Sequence, residues 1–173
     1  MFQSLCREFV MIANLPILLN NPSFIKYAYG KKHFVWDNFV NTNTEWSSVI
    51  DNLDMVYQQD AESIRFFNHL GLVCHHAISP KLRDEEKLRK ALYDYFGKKT
   101  SLHLYIALTG ISESIQPHTD PMDVLIVQGL GQIQFRVWEN GEEFRYDILP
   151  GMAVYLPAGT AVSYTHLTLP TNR

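Results

Sequence analysis

The sequence predicts a mainly β fold with N-terminal helices: one sandwich or barrel, with its helices gathered in the first part of the chain. Three observations carry this reading. In the longer segments before Gly97 the apolar residues recur at helical spacing, and after Gly97 they alternate with period two. Turn-forming groups then interrupt the chain at short intervals, at Gly129-Leu130-Gly131, Asn140-Gly141, Pro150-Gly151 and Pro157-Ala158-Gly159. Several short strands at such spacing favour a sandwich or barrel over a bundle.

Taken in order, residues 3–14 predict a short helix that ends near Asn14 and Pro16. His33-Phe34-Val35-Trp36 and Ser63-Ile64-Arg65-Phe66-Phe67 predict strands. Between them Trp46, Val49, Ile50, Leu53 and Val56 fall at helical spacing. A second helix is predicted over about 82–96. Asp84, Glu85 and Glu86 fill its first turn, Leu88, Ala91, Leu92, Tyr95 and Phe96 form its stripe, and Gly97 stops it. Leu102, Leu104, Ile106 and Leu108 share one face of the next strand, with His103, Tyr105 and Ala107 between them. Val124-Leu125-Ile126-Val127 is expected to reverse through Gly129-Leu130-Gly131 and pair as a hairpin with Gln132–Val137. Asn140-Gly141 predicts a second hairpin into Phe144–Ile148. Ala153–Leu156 is a further short strand.

With 173 residues, 46% of them hydrophobic and 13% aromatic, the chain can bury one domain-sized core. A net charge of −3 with scattered basic residues gives no footprint for nucleic acid. Cys6 and Cys74 make neither a disulfide framework nor a cysteine-rich metal site, so a reducing, cytoplasmic setting is expected. Arg7, Glu8 and Pro16 interrupt the N-terminal apolar stretch, which reads as neither signal peptide nor membrane span.

The chemistry concentrates at His118-Thr119-Asp120. Side chains two apart on a strand end project to one side. Imidazole and carboxylate suit Fe(II), Mn(II) or Zn(II), and a third ligand would complete a facial triad with open positions. Cys74-His75-His76 is a weaker candidate, because adjacent strand residues face opposite ways; a loop or half-buried surface segment is the simpler reading. Gly129-Leu130-Gly131 lacks the following helix that a phosphate-binding loop needs.

From Tyr105 to Thr160 the chain resembles the JmjC/cupin-like family of Fe(II)- and 2-oxoglutarate-dependent oxygenases, especially the bacterial and ribosomal-oxygenase-like branch. The resemblance lies in Pro117-His118-Thr119-Asp120, Asp123-Val124-Leu125-Ile126-Val127-Gln128, Gly131, Phe135-Arg136-Val137-Trp138, Leu149-Pro150-Gly151 and Tyr155-Leu156-Pro157-Ala158-Gly159-Thr160; His33 to Trp46 matches more loosely. It implies a double-stranded β-helix (jelly roll) with the metal near one open end. It also implies His118 and Asp120 as metal ligands, Tyr105 as a cosubstrate-holding hydroxyl, and Fe(II), 2-oxoglutarate and O₂ as cofactor and cosubstrates. The implied activity is hydroxylation of a protein side chain or small molecule. A cupin isomerase or dioxygenase without 2-oxoglutarate, and a non-catalytic cupin binding module, stand as alternatives.

Two departures qualify the resemblance. The family's distal metal histidine falls at the position of Val162, and its basic residue for the far carboxylate of 2-oxoglutarate falls at Ile133. Burying a dicarboxylate without a cation is costly, so the cation is expected in a missing C-terminal part or 2-oxoglutarate is not used. The run Val162–Thr171 resembles a translated transposase-type sequencing adapter: GTC TCT TAT ACA CAT CTG ACG CTG CCG ACG encodes it residue for residue. Residues 162–173 are therefore expected to be a non-native tail, with histidine at 162 in the intact protein. The expected organisation is an N-terminal helical region over 1–99 packing on a barrel core over 100–161, incomplete at its C-terminus. This fragment is expected to be inactive.

Overall fold

The structure is a computed structural model that describes residues 19–41, 44–67, 72–75, 83–97, 100–107 and 116–168. Ten strands are described: β1 (Phe34–Trp36), β2 (Ile64–Phe67), β3 (Leu72–His75), β4 (Leu104–Ala107), β5 (His118–Thr119), β6 (Val124–Val127), β7 (Gln132–Glu139), β8 (Glu142–Ile148), β9 (Ala153–Leu156) and β10 (Ala161–Thr168). They form three sheets, ordered β1-β9-β6, β5-β10-β7-β8 and β2-β3-β4. The architecture is a double-stranded β-helix, as the family resemblance implied.

Both described α-helices follow their periodicity. The first, Trp46–Asp60, buries Val49, Asn52 and Val56, while Ile50 turns outward at 47% exposure. The second, Arg83–Phe96, ends where Gly97 takes φ +62°, a left-handed conformation that glycine adopts without a Cβ penalty. A π-helical turn at Phe24–Ala28, which no pattern foretold, buries Phe24 at the centre of an aromatic group with Phe34, Trp36 and Tyr155. The helix expected over 3–14 lies outside the described residues.

Three local expectations are corrected. Val124–Val127 does not pair with the strand after the glycines. β6 pairs with β9, and β7 with β8 and β10, so Gly129-Leu130-Gly131 carries the chain between sheets. Glycine permits either path, and the choice falls to which neighbour completes each sheet. Cys74-His75 is no loop: it lies in β3, the central strand between β2 and β4, with Cys74 at 3% exposure. The strand after Gly97 is shorter than its alternation suggested, since Leu102 precedes it, and Leu108 lies outside the described residues.

Asn140-Gly141 does form a hairpin, with φ of 52° and 83° at its two central residues, joining β7 to β8 from Glu139↔Glu142 onward. Its inward row Ile133, Phe135 and Val137 packs with Ile148, Val154, Leu156 and Val162 in one apolar core. Ile64, Val73 and Ile106 pack instead against Val49 and Val56 of the Trp46–Asp60 helix. That helix therefore covers the outer face of the β2-β3-β4 sheet. Strands on both sides of residue 99 pair directly, β1 with β9 and β3 with β4.

Residues 161–168 complete the sheet as β10, with a register irregularity between Tyr164 and His166. Ladder hydrogen bonds join backbones, and β-branched Val162 and aromatic Tyr164 suit a strand, with Ser163 between them buried as well. The tail's sequence origin is thus compatible with its forming a strand.

Candidate metal centre

β5 is only two residues long, and its place is fixed by pairing with β10: Thr119 lies opposite Ala161 and His118 opposite Val162. Val162 also faces Val137 across the β10–β7 ladder. Directly opposed residues point to the same side. His118, Val162 and Val137 therefore form one inward row, in which Val137 and Val162 are fully buried. Asp120, two residues on, returns to that side, and its Oδ2 lies 3.9 Å from His118 Nε2. Both side chains keep partial access, 29% and 43%.

The other ring nitrogen of His118, Nδ1, lies 2.9 Å from the carbonyl oxygen of Gln116. A carbonyl can only accept, so this contact favours the tautomer with hydrogen on Nδ1 and leaves the Nε2 lone pair toward Asp120. Two donors sharing one ion at bonds of about 2.1 Å stand roughly 3 Å apart, a separation that small rotations of these side chains would reach. The pair fits two positions of a facial metal site. The third does not fit: the residue opposite His118 is a buried valine with no donor atom. Among the described residues no group of three His, Cys, Asp or Glu side chains comes together.

Two backbone anchors hold the turn that leads into β10. Gly159 N–H donates to the Asp120 carbonyl at 2.8 Å, and Ala158 N–H donates to Asp123 Oδ1 at 3.0 Å. Asp123 Oδ2 in turn accepts from the Tyr155 hydroxyl at 3.0 Å, which itself accepts from Gly30 N–H at 2.9 Å. Sequence reading had placed Asp123 only in a matching stretch. Its positioning role depends on a partner 32 residues away, which no local pattern encodes.

Tyr105 stands in β4 opposite Cys74, and its hydroxyl and the Cys74 thiol share a hydrogen bond. Burial first, then Cys74 and the Asp120 carboxylate, push the Tyr105 hydroxyl up to about 12. Burial likewise raises the Cys74 thiol. Tyr164 of β10 sits over Phe135 at 5.0 Å between ring centres, with the His118 ring at 6.3 Å. Its hydroxyl is raised well above the ordinary range by burial first, then by Tyr105, Asp120 and Cys74. Cys74 and Tyr164 thus lie close to the half-exposed Tyr105 and to the partly exposed Asp120 and His118. Tyr164 went unnoticed in the sequence because it lies in the expected tail. Ile133 is buried at 3% exposure on the inward row, so no cation stands at that position. His76 lies outside the described residues.

Residues 74–148 match the family model of the JmjC domain, a stretch that runs from β3 through His118 and Asp120 to the end of β8. The matched segment is thus similar to the JmjC domain, and the match covers less than half of the chain. Among solved structures, the chain is similar to the ribosomal oxygenase YcfD of Escherichia coli in complex with cobalt and succinic acid. That match has a TM-score of 0.68 and 19% identity over 87% of this chain and 49% of that one. The same enzyme in complex with cobalt and 2-oxoglutarate matches with a TM-score of 0.67 at 19% identity, again over 87% and 49%. A prolyl-4-hydroxylase from Pseudomonas putida matches with a TM-score of 0.51 and 14% identity, over 92% and 93% of the two chains. The chain spans about half the length of the YcfD chains it matches. No curated protein matches it. No helix among the described residues is long and apolar enough to cross a membrane.

Proposed function

We propose that the intact protein is a cytoplasmic non-haem Fe(II) oxygenase that uses 2-oxoglutarate and O₂ to hydroxylate a C–H bond of a protein side chain or small molecule. One observation carries this reading: His118 Nε2 and Asp120 Oδ2 converge to 3.9 Å on the inner face, directly across a strand ladder from position 162. The YcfD structure containing cobalt and 2-oxoglutarate supports it by analogy of fold.

In this reading His118 and Asp120 hold the metal together with a residue at position 162, which is histidine in the intact protein and Val162 here. Bound iron would supply open coordination positions for a 2-oxoacid and O₂. The chain's own residues do the rest. The Gln116 carbonyl fixes the His118 ring, Asp120 contributes negative charge, the Tyr105 hydroxyl donates to a bound carboxylate, and Phe135, Val137 and Ile133 keep one wall dry.

For the chain as it stands, two facial ligands make a poor chelate, and the expected outcome is weak metal binding without useful turnover. Val162 and Ile133 favour a second reading for this chain, a cupin module without 2-oxoglutarate chemistry. Protein carrying its natural C-terminus distinguishes the two. Stoichiometric Fe(II) with O₂ uptake that requires 2-oxoglutarate supports the oxygenase. A full-length protein that binds no Fe(II) and consumes no O₂ with any 2-oxoacid would overturn it.

A further inference from the structure

A cleft opens where the edges of two sheets meet, on the side away from the metal pair. β1 is the outer strand of β1-β9-β6, and β8 is the outer strand of β5-β10-β7-β8. β5, which carries His118, lies at the other edge of that second sheet, three strand spacings or roughly 14 Å from β8. Between β1 and β8 lies a partly open cavity of about 260 Å³. Phe34 and Val35 of β1 and Tyr146 of β8 line it, and the segment before β1 adds Ser23, Tyr27 and Lys32.

The cavity rests on a buried polar chain. The His33 side chain also lines it, is only 8% exposed, and places Nδ1 3.3 Å from Glu139 Oε2 and Nε2 2.7 Å from the Tyr146 hydroxyl. The ring packs on Phe144 at 4.8 Å between centres. A carboxylate beside Nδ1 favours hydrogen on that nitrogen, so Nε2 accepts from the Tyr146 hydroxyl. The Tyr146 oxygen then keeps its lone pairs for a donor.

The charge at this cleft is positive. No Asp or Glu lines the cavity, and Glu139 is already engaged with His33, whose backbone N–H its Oε1 accepts at 3.0 Å. Lys26 lies over the Tyr27 ring at 4.9 Å, and Lys31 Nζ donates to the Lys26 carbonyl at 2.8 Å. Lys32 is the one of these three lysines that lines the cavity, and among the described residues its ammonium pairs with no carboxylate. The volume equals about nine waters, room for one ring with two polar substituents.

We propose that this cleft binds a small aromatic hydroxy acid. Its ring lies against Phe34 and Val35, its carboxylate pairs with Lys32, and its hydroxyl donates to the Tyr146 oxygen. The site is independent of the metal pair and of the oxygenase reading.

The test is calorimetric titration of the chain, with EDTA present to exclude metal, against 4-hydroxybenzoate, 4-hydroxybenzamide and benzoate. The amide removes the charge and benzoate removes the hydroxyl. The unaltered chain is expected to prefer 4-hydroxybenzoate to its amide by about tenfold, the weight of one charge-assisted pair. It should prefer 4-hydroxybenzoate to benzoate by about threefold to tenfold, the weight of one neutral hydrogen bond. Lys32→Gln should abolish the first preference and keep the second, whereas Tyr146→Phe should do the reverse. Lys32 is exposed, so Lys32→Gln should fold, and circular dichroism checks both variants. Equal binding of acid and amide, a charge preference that survives Lys32→Gln, or no binding at millimolar concentration overturns the proposal. A hydroxyl preference that survives in folded Tyr146→Phe overturns the contact assigned to Tyr146.

Discussion

His118 and Asp120 illustrate how much a single strand end can specify. Their spacing alone placed them on one side, and in the fold their donor atoms stand 3.9 Å apart. What the spacing could not supply was the third side of the site. Position 162 lies 44 residues further on, and only the β5–β10 ladder sets it opposite His118. Exchanging Val162→His should therefore raise affinity for Co(II) on the order of tenfold or more, because a third protein donor joins the chelate. The visible absorption of bound cobalt would report it, and an unchanged titration would show that 162 is not the third position. Without metal the same variant should be less stable by about 1–3 kcal/mol, since it buries a polar ring where valine is fully enclosed. His118→Ala and Asp120→Asn should each reduce cobalt binding further, with little change in the melting curve because both side chains are partly exposed.

At the scale of elements, the turns were legible and their destinations were not. Asn140-Gly141 specified its hairpin because both positive φ values are local requirements. Gly129-Leu130-Gly131 looked similar and yet leads from one sheet to the other. Local residues state that the chain turns; they do not state which strand receives it. Gly151 shows the same division. Its φ of +89° suits the Pro150-Gly151 turn, but its closest constraint is distant in sequence. A Cβ there would lie 2.7 Å from the Val40 carbonyl oxygen, while the Gly151 carbonyl accepts from Phe39 and Val40 N–H. Gly151→Ala should consequently cost more than about 2 kcal/mol in urea unfolding, combining left-handed strain with backbone crowding. Gly141→Ala, with the same sign of φ but open space around it, should cost nearer 1 kcal/mol. Equal losses at the two sites would mean that the Val40 contact does not matter.

At the scale of the whole molecule, side-chain hydrogen bonds join segments far apart in sequence. His33, just before β1, places Nε2 2.7 Å from the Tyr146 hydroxyl on β8, and its backbone N–H donates to Glu139 at the end of β7. Tyr155 on β9 ties the Gly30 backbone to Asp123. Burial, and then the Asp123 carboxylate that accepts its hydrogen bond, push Tyr155 up to about 12, against an unfolded value near 10. Between those values the unfolded chain has released the proton and the folded chain has not. The stability contributed by the neutral hydroxyl is thus complete below about pH 10 and is lost as pH rises toward 12. Tyr105 contributes in the same direction. Urea midpoints should fall across this window. Tyr155→Phe should flatten part of the fall while lowering stability at neutral pH by about 1–3 kcal/mol, because Gly30 N–H and Asp123 each lose a partner. A midpoint independent of pH up to 12 would contradict this account.

The sequence by itself determined the period-two second half, the helices at Trp46–Asp60 and Arg83–Phe96, the Asn140-Gly141 hairpin, and the shared face of His118 and Asp120. All of these follow from interactions within a few residues of chain. Only the tertiary structure decided that β6 joins β9, that Cys74 lies mid-sheet with Arg65 and Tyr105 on either side, and that Val162 confronts His118. Such pairings are set by strand register between distant segments. A shift of one residue exchanges the two faces of a strand, and local composition carries no record of which partner enforces the choice.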